Sequence, residues 1–173
     1  MRRRGGRASG RSGRAAGRSP ALVAHIDGGA RGNPGPAGYG VHIRDDGGVE
    51  TELFGYIGIA TNNTAEYAAL LALLEYAVPA RPASLLIRSD SELLIRQMQG
   101  RYRVKDPGLR VLHAAARRLI VSVARVRLEH VPREMNREAD ALANRAMDLE
   151  ASSGPLPAAL RSLPGRPTQS RLL

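Results

Sequence analysis

Near the start of the chain, three short runs carry β-type patterning: ALVAHID at 21–27, YGVHIRDD at 39–46 and GVETELFGYIG at 48–58. They are separated by GGARGNPGPAG and by Asp46-Gly47-Gly48, and the second break is a hairpin signal. After the polar loop ATNNT, the segment AEYAALLALLEYA places Leu70, Leu73, Leu74 and Ala77 at three- and four-residue spacing, which predicts an amphipathic helix ended by Pro79. ASLLIRSD at 83–90 then reads as a fully buried strand, and SELLIRQMQG as a short helix closed by Gly100. Pro107 opens a helix through LRVLHAAARRLI, followed by the strand ARVRLEHV and a last helix from about Asn136 to Leu149. Three consecutive strands followed by alternation predict an α/β domain. Its mixed five-stranded sheet would be an antiparallel meander extended by parallel strands, with helices on both faces.

Charge changes the picture at the ends of the chain. The formal charge of +10 comes entirely from residues 1–20, with seven Arg and no acid, and residues 151–173, with three Arg and no acid. The intervening 21–150 are neutral overall, with 16 basic and 16 acidic side chains, and form the expected domain. Within them, Arg96 to Arg127 hold nine basic residues against the single acid Asp106, which predicts a basic surface beside an acidic one. The Gly/Ala/Ser/Arg run at 1–20 has no apolar periodicity and is expected to be disordered. A sequence-independent phosphate-binding arm, an unselected extension and an organelle-targeting peptide all fit it. Residues 151–173, containing Pro155, Pro157, Pro164 and Pro167, are expected to form a second disordered tail.

The 173 residues contain no Cys and no Trp, which excludes disulfide frameworks, thiol nucleophiles and cysteine metal clusters. No apolar run approaches the roughly 20 residues a membrane helix needs, so a soluble, cytoplasmic protein without a membrane partner is expected.

Four acids stand at element boundaries or on an interior helix face. Asp27 ends the first strand, Glu66 lies in the first turn of the long helix, Asp90 ends the fourth strand and Asp140 lies one turn into the last helix. Each has a local explanation: a turn residue for Asp27, a capping box of Asn63 with Glu66, a cap by Asp90 and Ser91, a surface pair of Asp140 with Arg137 or Asn144. Jointly they suggest something else. Parallel-type strands ending in Asp at one sheet edge bring like charges together, which is costly without cations, and hard divalent ions prefer such oxygen ligands. HExxH, EF-hand and P-loop signatures are all missing, which leaves a two-metal phosphodiester site.

The stretches IDGGARGNPGPAGYG (26–40), TNNTAEYAAL (61–70), IRSDSELLIRQMQG (87–100) and HVPREMNREADALANRAM (130–147) resemble the type 1 ribonuclease H family. The resemblance implies the ribonuclease H fold, with Asp27, Glu66, Asp90 and Asp140 as its catalytic metal ligands. It further implies Mg²⁺, two ions per site with substrate or Mn²⁺ in their place. The implied reaction is hydrolysis of the RNA strand of an RNA–DNA hybrid, leaving 5′-phosphate and 3′-hydroxyl ends. Asn33, Asn62 and Asn63 would contact substrate, turn formation and capping being their structural alternative. Thr61 would help hold a DNA-strand phosphate, and Glu92 stands where many relatives have Gln.

Two departures place the chain closer to the shorter archaeal and actinobacterial-type subgroup. Between Gly100 and Leu119 there is no room for the extra basic helix by which some bacterial relatives grip the hybrid. Arg101, Arg103, Lys105, Arg110, Arg117 and Arg118, or the N-terminal arm, are candidate replacements, with a solvated basic face as the alternative. The loop VPREMN lacks the histidine many relatives carry there, and Arg133 is its candidate stand-in or else a plain surface cation. His130 and His25 are expected to be structural. Competing readings are a same-fold nuclease acting on double-stranded RNA or DNA junctions, and a non-catalytic RNA- or hybrid-binding module. A monomer is the default expectation.

Overall fold

The computed structural model describes residues 17–163, so most of the expected N-terminal arm and the last ten residues lie outside the described residues. Three strands, β1 (Ala21–Ala30), β2 (Gly35–Asp45) and β3 (Glu50–Ala60), form an antiparallel meander. The helix α1 (Asn62–Ala80) leads to β4 (Ser84–Ser89), then α2 (Glu92–Met98), α3 (Pro107–Ile120), β5 (Val126–His130) and α4 (Arg137–Leu149). The sheet order is β3-β2-β1-β4-β5, with β4 parallel to β1 and β5 parallel to β4. Asp45 closes the β2–β3 hairpin, its Oδ1 accepting from the Gly47 and Val49 amides at 2.9 and 2.8 Å. Among the described residues no helix is long and apolar enough to cross a membrane.

Alternation along the strands sorts the two faces. Leu22, Ala24 and Ile26 of β1 are buried toward α1, while Asp27 and its cross-strand partner Gly40 face α4. The five predicted strands are present, with β1 and β2 extending into the glycine-rich separator as far as Ala30 and Gly35 and β3 running from Glu50 to Ala60 rather than over 48–58. β4 is buried at alternate residues rather than throughout, because its second face is only partly covered.

Two further expectations need correction. First, α1 is not amphipathic: Ala65, Tyr67 through Leu74 and Ala77 are all buried. The helix lies between the sheet and α3, so solvent reaches it along few positions. Pro79 also sits inside its last turn, and the helix closes at Arg81 in the left-handed conformation, φ 48°. Second, residues 151–163 are not a disordered tail. The Tyr56 amide donates to the Ala151 carbonyl and the Ser153 amide to the Phe54 carbonyl, so the segment pairs with the outer edge of β3. It then crosses to the other layer, where Leu160 is buried and the Ala158 amide donates to Glu75 Oε1 at 2.9 Å. Its prolines do not prevent packing, because edge pairing needs only alternate backbone groups.

Candidate active site

The parallel pairing of β1 and β4 brings their carboxyl ends level, Ile26 opposite Ser89, so Asp27 and Asp90 emerge side by side. Two glycines let the helices close in. A Cβ on Gly28 would stand 2.2 Å from the Ala65 carbonyl carbon, and one on Gly40 would stand 2.2 Å from the Ala139 carbonyl oxygen. Real side chains at either position would push α1 or α4 off the sheet. With glycine there, α1 delivers Glu66 from one face and α4 delivers Asp140 from the other.

Asp27, Glu66 and Asp90 each offer an oxygen within 4.8 Å of the others. Asp140 joins them along the wall of one cleft of about 440 Å³, also lined by Asn62, Arg133 and Asn144. Burial and then the charges of Asp90 and Asp140 push the Asp27 carboxyl up to about 8. Burial and then Asp27 and Asp90 hold Glu66 well above the usual carboxylate range. Glu66 Oε2 is shut off from solvent and has no hydrogen-bond partner. An orphaned carboxylate oxygen beside two further carboxylates is an oxygen-only donor set whose unmet requirement is positive charge. Such a set fits a hard divalent cation.

The remaining predicted residues divide. Thr61 is the N-cap of α1, its Oγ1 accepting from the Thr64 amide at 3.2 Å, so the capping box of Asn63 with Glu66 does not form and Glu66 is free for other work. Asn33, which precedes a cis peptide bond to Pro34, accepts from the Asn62 amide at 3.1 Å. Asn62 in turn accepts from the Ala30 amide at 2.7 Å. Both oxygens tie the β1–β2 turn to α1 and leave the two NH₂ groups as donors. Asn63 is exposed beside them. Arg133 is exposed in a 3-10 turn, Arg133–Met135, at the cleft rim. Glu92 is exposed in the first turn of α2, pairs with Arg96 at 3.5 Å and does not line the cleft.

Asn136 escaped the sequence reading, which treated it only as the start of a helix. It is fully buried, and its Nδ2 donates to the Ile26 carbonyl at 2.8 Å and to Asp90 Oδ1 at 3.3 Å. Its backbone carbonyl accepts from the Asp140 amide at 3.1 Å. The residue thus joins the strand carrying Asp27 and the Asp90 carboxylate through its side chain, and the helix carrying Asp140 through its backbone carbonyl. Its position at a helix start, where Asn is common, masked this role. His130 Nε2 lies 3.2 Å from the Asp90 carbonyl, consistent with the structural part expected for it.

A family model described as reverse transcriptase-like matches residues 25–146. A bifunctional protein of Mycobacterium tuberculosis is 46% identical over 134 residues, covering 76% of this chain and 37% of its own length. Ribonuclease HI of Halobacterium salinarum is 45% identical over 132 residues, covering 76% of this chain and 66% of its own. The chain therefore spans little more than a third of the mycobacterial relative. Among solved structures, LC11 ribonuclease H1 in complex with an RNA/DNA hybrid superposes with a TM-score of 0.70 at 42% identity, covering 75% of this chain and 98% of that one.

Proposed function

Because the chain belongs to the type 1 ribonuclease H family, we propose that it is a metal-dependent endoribonuclease that hydrolyses the RNA strand of RNA–DNA hybrids, leaving 5′-phosphate and 3′-hydroxyl ends. The observation that carries the reading is the cluster of Asp27, Glu66 and Asp90 with a buried, unpartnered Glu66 oxygen, open to a cleft. A surface that only binds nucleic acid has no reason to gather negative charge where phosphate must approach.

Asp27, Glu66, Asp90 and Asp140 would hold the divalent ions, Mg²⁺ or Mn²⁺, two per site with substrate. When bound, these supply the positive charge that draws in the scissile phosphate, acidifies the attacking water and stabilises the leaving 3′ oxygen. The protein's own contribution is placement. Asn136 fixes the rotation of the Asp90 carboxylate, and the glycine contacts at 28 and 40 set the spacing of the four acids. Asn33, Asn62 and Asn63 would present donors to 2′-hydroxyl groups, which only the RNA strand has. Thr61 beside them would contact a phosphate of the opposite strand. Arg133 at the rim would attract the cleaved 5′-phosphate as it leaves. Glu92 is the weakest of the proposed substrate contacts, since its carboxylate already pairs with Arg96.

The test is cleavage of a strand-labelled RNA–DNA hybrid, with duplex DNA, duplex RNA and single-stranded RNA alongside, in Mg²⁺, Mn²⁺ or EDTA. Cutting of the RNA strand only, dependent on the metal and lost in Asp27→Asn and Asp90→Asn, is the expected result. Salt-sensitive hybrid binding with no cutting in either metal would replace the reading by a binding module. Cutting of duplex RNA or of branched DNA in preference to the hybrid would make the protein a different nuclease of the same fold.

A further inference from the structure

The four acids of the cleft are not held alike. Asp27 and Asp90 leave the ends of paired strands, Asn136 donates to Asp90, and Glu66 carries an oxygen shut off from solvent. Asp140 reaches the same cleft from α4, where Asn144 and Asp148 follow it at four-residue spacing along one face of the helix. Asn144 Nδ2 donates to the Asp140 backbone carbonyl at 3.0 Å and to its carboxylate Oδ1 at 3.4 Å. Arg31, on the connection between β1 and β2, reaches across to this face. Its Nη2 donates to Asn144 Oδ1 at 3.4 Å and pairs with Asp148 Oδ1 at 2.5 Å.

These contacts have a direction. An amide side chain offers a carbonyl acceptor on one side and an NH₂ donor on the other. With a guanidinium on one side of Asn144 and a carboxylate on the other, a single orientation satisfies both, and it turns the NH₂ toward Asp140. Turned over, the amide would set its oxygen against the carboxylate and its NH₂ against the guanidinium. Arg31 is itself fixed at both ends, its backbone amide donating to the Pro36 carbonyl at 2.8 Å and its head held by Asp148. The Arg31 and Asp148 side chains are 48% and 62% exposed, and an ion pair so placed adds little to stability. Both Arg31 and Asn144 line the cleft, so the relay stands where it can act on the chemistry.

We propose that Arg31 and Asn144 are positioning residues for Asp140, Arg31 orienting the Asn144 amide and the amide fixing the rotation of the Asp140 carboxylate in the cleft. This rests on the metal-dependent reading above and adds how the acid contributed by α4 is aimed. A carboxylate free to rotate loses that freedom when it takes up an ion, whereas one already turned by a donor has less to lose. The turn carrying Asn33 does not depend on the relay. It is tied by the Arg31 backbone amide and by Asn33 accepting from the Asn62 amide, so removing the Arg31 side chain leaves it in place.

The test compares the native chain with Asn144→Ala, Arg31→Ala, the double variant and Arg31→Lys. Mn²⁺ binding without substrate is followed by electron paramagnetic resonance, and cleavage is followed against Mg²⁺ and against hybrid concentration. Loss of a donor that orients a metal ligand costs about 10- to 100-fold in affinity or activity, and the long bond to Oδ1 places Asn144→Ala at the lower end. Mn²⁺ affinity should fall about 10-fold and the Mg²⁺ needed for half-maximal cleavage should rise by a similar factor. KM for the hybrid at saturating Mg²⁺ should not change. Arg31→Ala should act in the same direction, and the double variant should be no worse than Asn144→Ala, because Arg31 acts through the amide. Arg31→Lys keeps a donor and a positive charge and should restore most of the native affinity. Effects that add in the double variant, or a KM raised by Arg31→Ala, would overturn the inference in favour of direct contact between Arg31 and the substrate. Native Mn²⁺ affinity and Mg²⁺ requirement in Asn144→Ala would overturn it as well. In both cases a native chain that cuts the hybrid keeps the functional reading, whereas a native chain that does not cut it overturns that reading itself.

Discussion

Asp27→Asn should make the metal-free protein more stable while abolishing its activity. The folded state raises the Asp27 carboxyl from 3.8 to about 8, through burial and the neighbouring acids. A group that binds its proton more tightly when folded contributes its full stability below the unfolded pKa, and that contribution is lost as pH rises through the folded one. Each unit of such a shift is worth about 1.4 kcal/mol, so at about pH 7, where the unfolded carboxyl is ionised and the folded one still holds its proton, taking up that proton on folding costs up to about 4 kcal/mol. Asn keeps the shape and a donor and carries no charge, and it also relieves the repulsion on Glu66. After the remaining acids relax, about 2 to 3 kcal/mol of added stability is expected, a shift of about 1 M or more in the urea midpoint. Urea melts of both proteins in EDTA, from about pH 4 to about pH 8, read this directly. The two midpoints should nearly coincide at the acid end and separate as pH rises. Excess Mg²⁺ should stabilise the native protein by binding its folded state and narrow or reverse the gap. A variant no more stable at neutral pH, or a gap independent of pH, would refute the argument that the cluster stores electrostatic strain.

Asn136→Ala leaves the buried Ile26 carbonyl and Asp90 Oδ1 without their donor, and should cost about 1 to 3 kcal/mol of stability. It should also raise the Mg²⁺ concentration needed for half-maximal activity, and an unchanged metal titration would limit the residue to packing. Gly40→Ala places a methyl group 2.2 Å from the Ala139 carbonyl oxygen. Displacing α4 should cost about 3 kcal/mol or more and abolish cleavage even in protein that remains folded by circular dichroism. Leu160→Ala empties a buried position under the C-terminal segment and should cost about 2 to 4 kcal/mol in denaturant melts, with kcat and KM for the hybrid unchanged in the surviving folded fraction.

The strands, the hairpin at Asp46–Gly48, the cap at Ser91 and the placement of four acids at element boundaries were legible in the chain because they rest on local signals. Alternation, turn chemistry and side-chain caps act over a few residues, and a linear pattern records them. The grouping of Asp27 with Asp90 followed from the expected parallel strands, and the family motifs carried Glu66 and Asp140. What only the tertiary structure decided involves partners far apart in sequence. The choice of Thr61 over Asn63 as the cap depends on Asn62 being held by Ala30 and Asn33 on another element. α1 is buried nearly all round because α3 covers the side the pattern assigned to solvent. Asn136 gained its role from a carbonyl 110 residues away. The segment at 151–163 has no periodicity of its own and is ordered because the edge of β3 offered unpaired backbone groups. Local chemistry names the groups that carry charge and end elements, whereas burial and hydrogen bonds between distant residues depend on which surfaces meet, and no short window of sequence contains that.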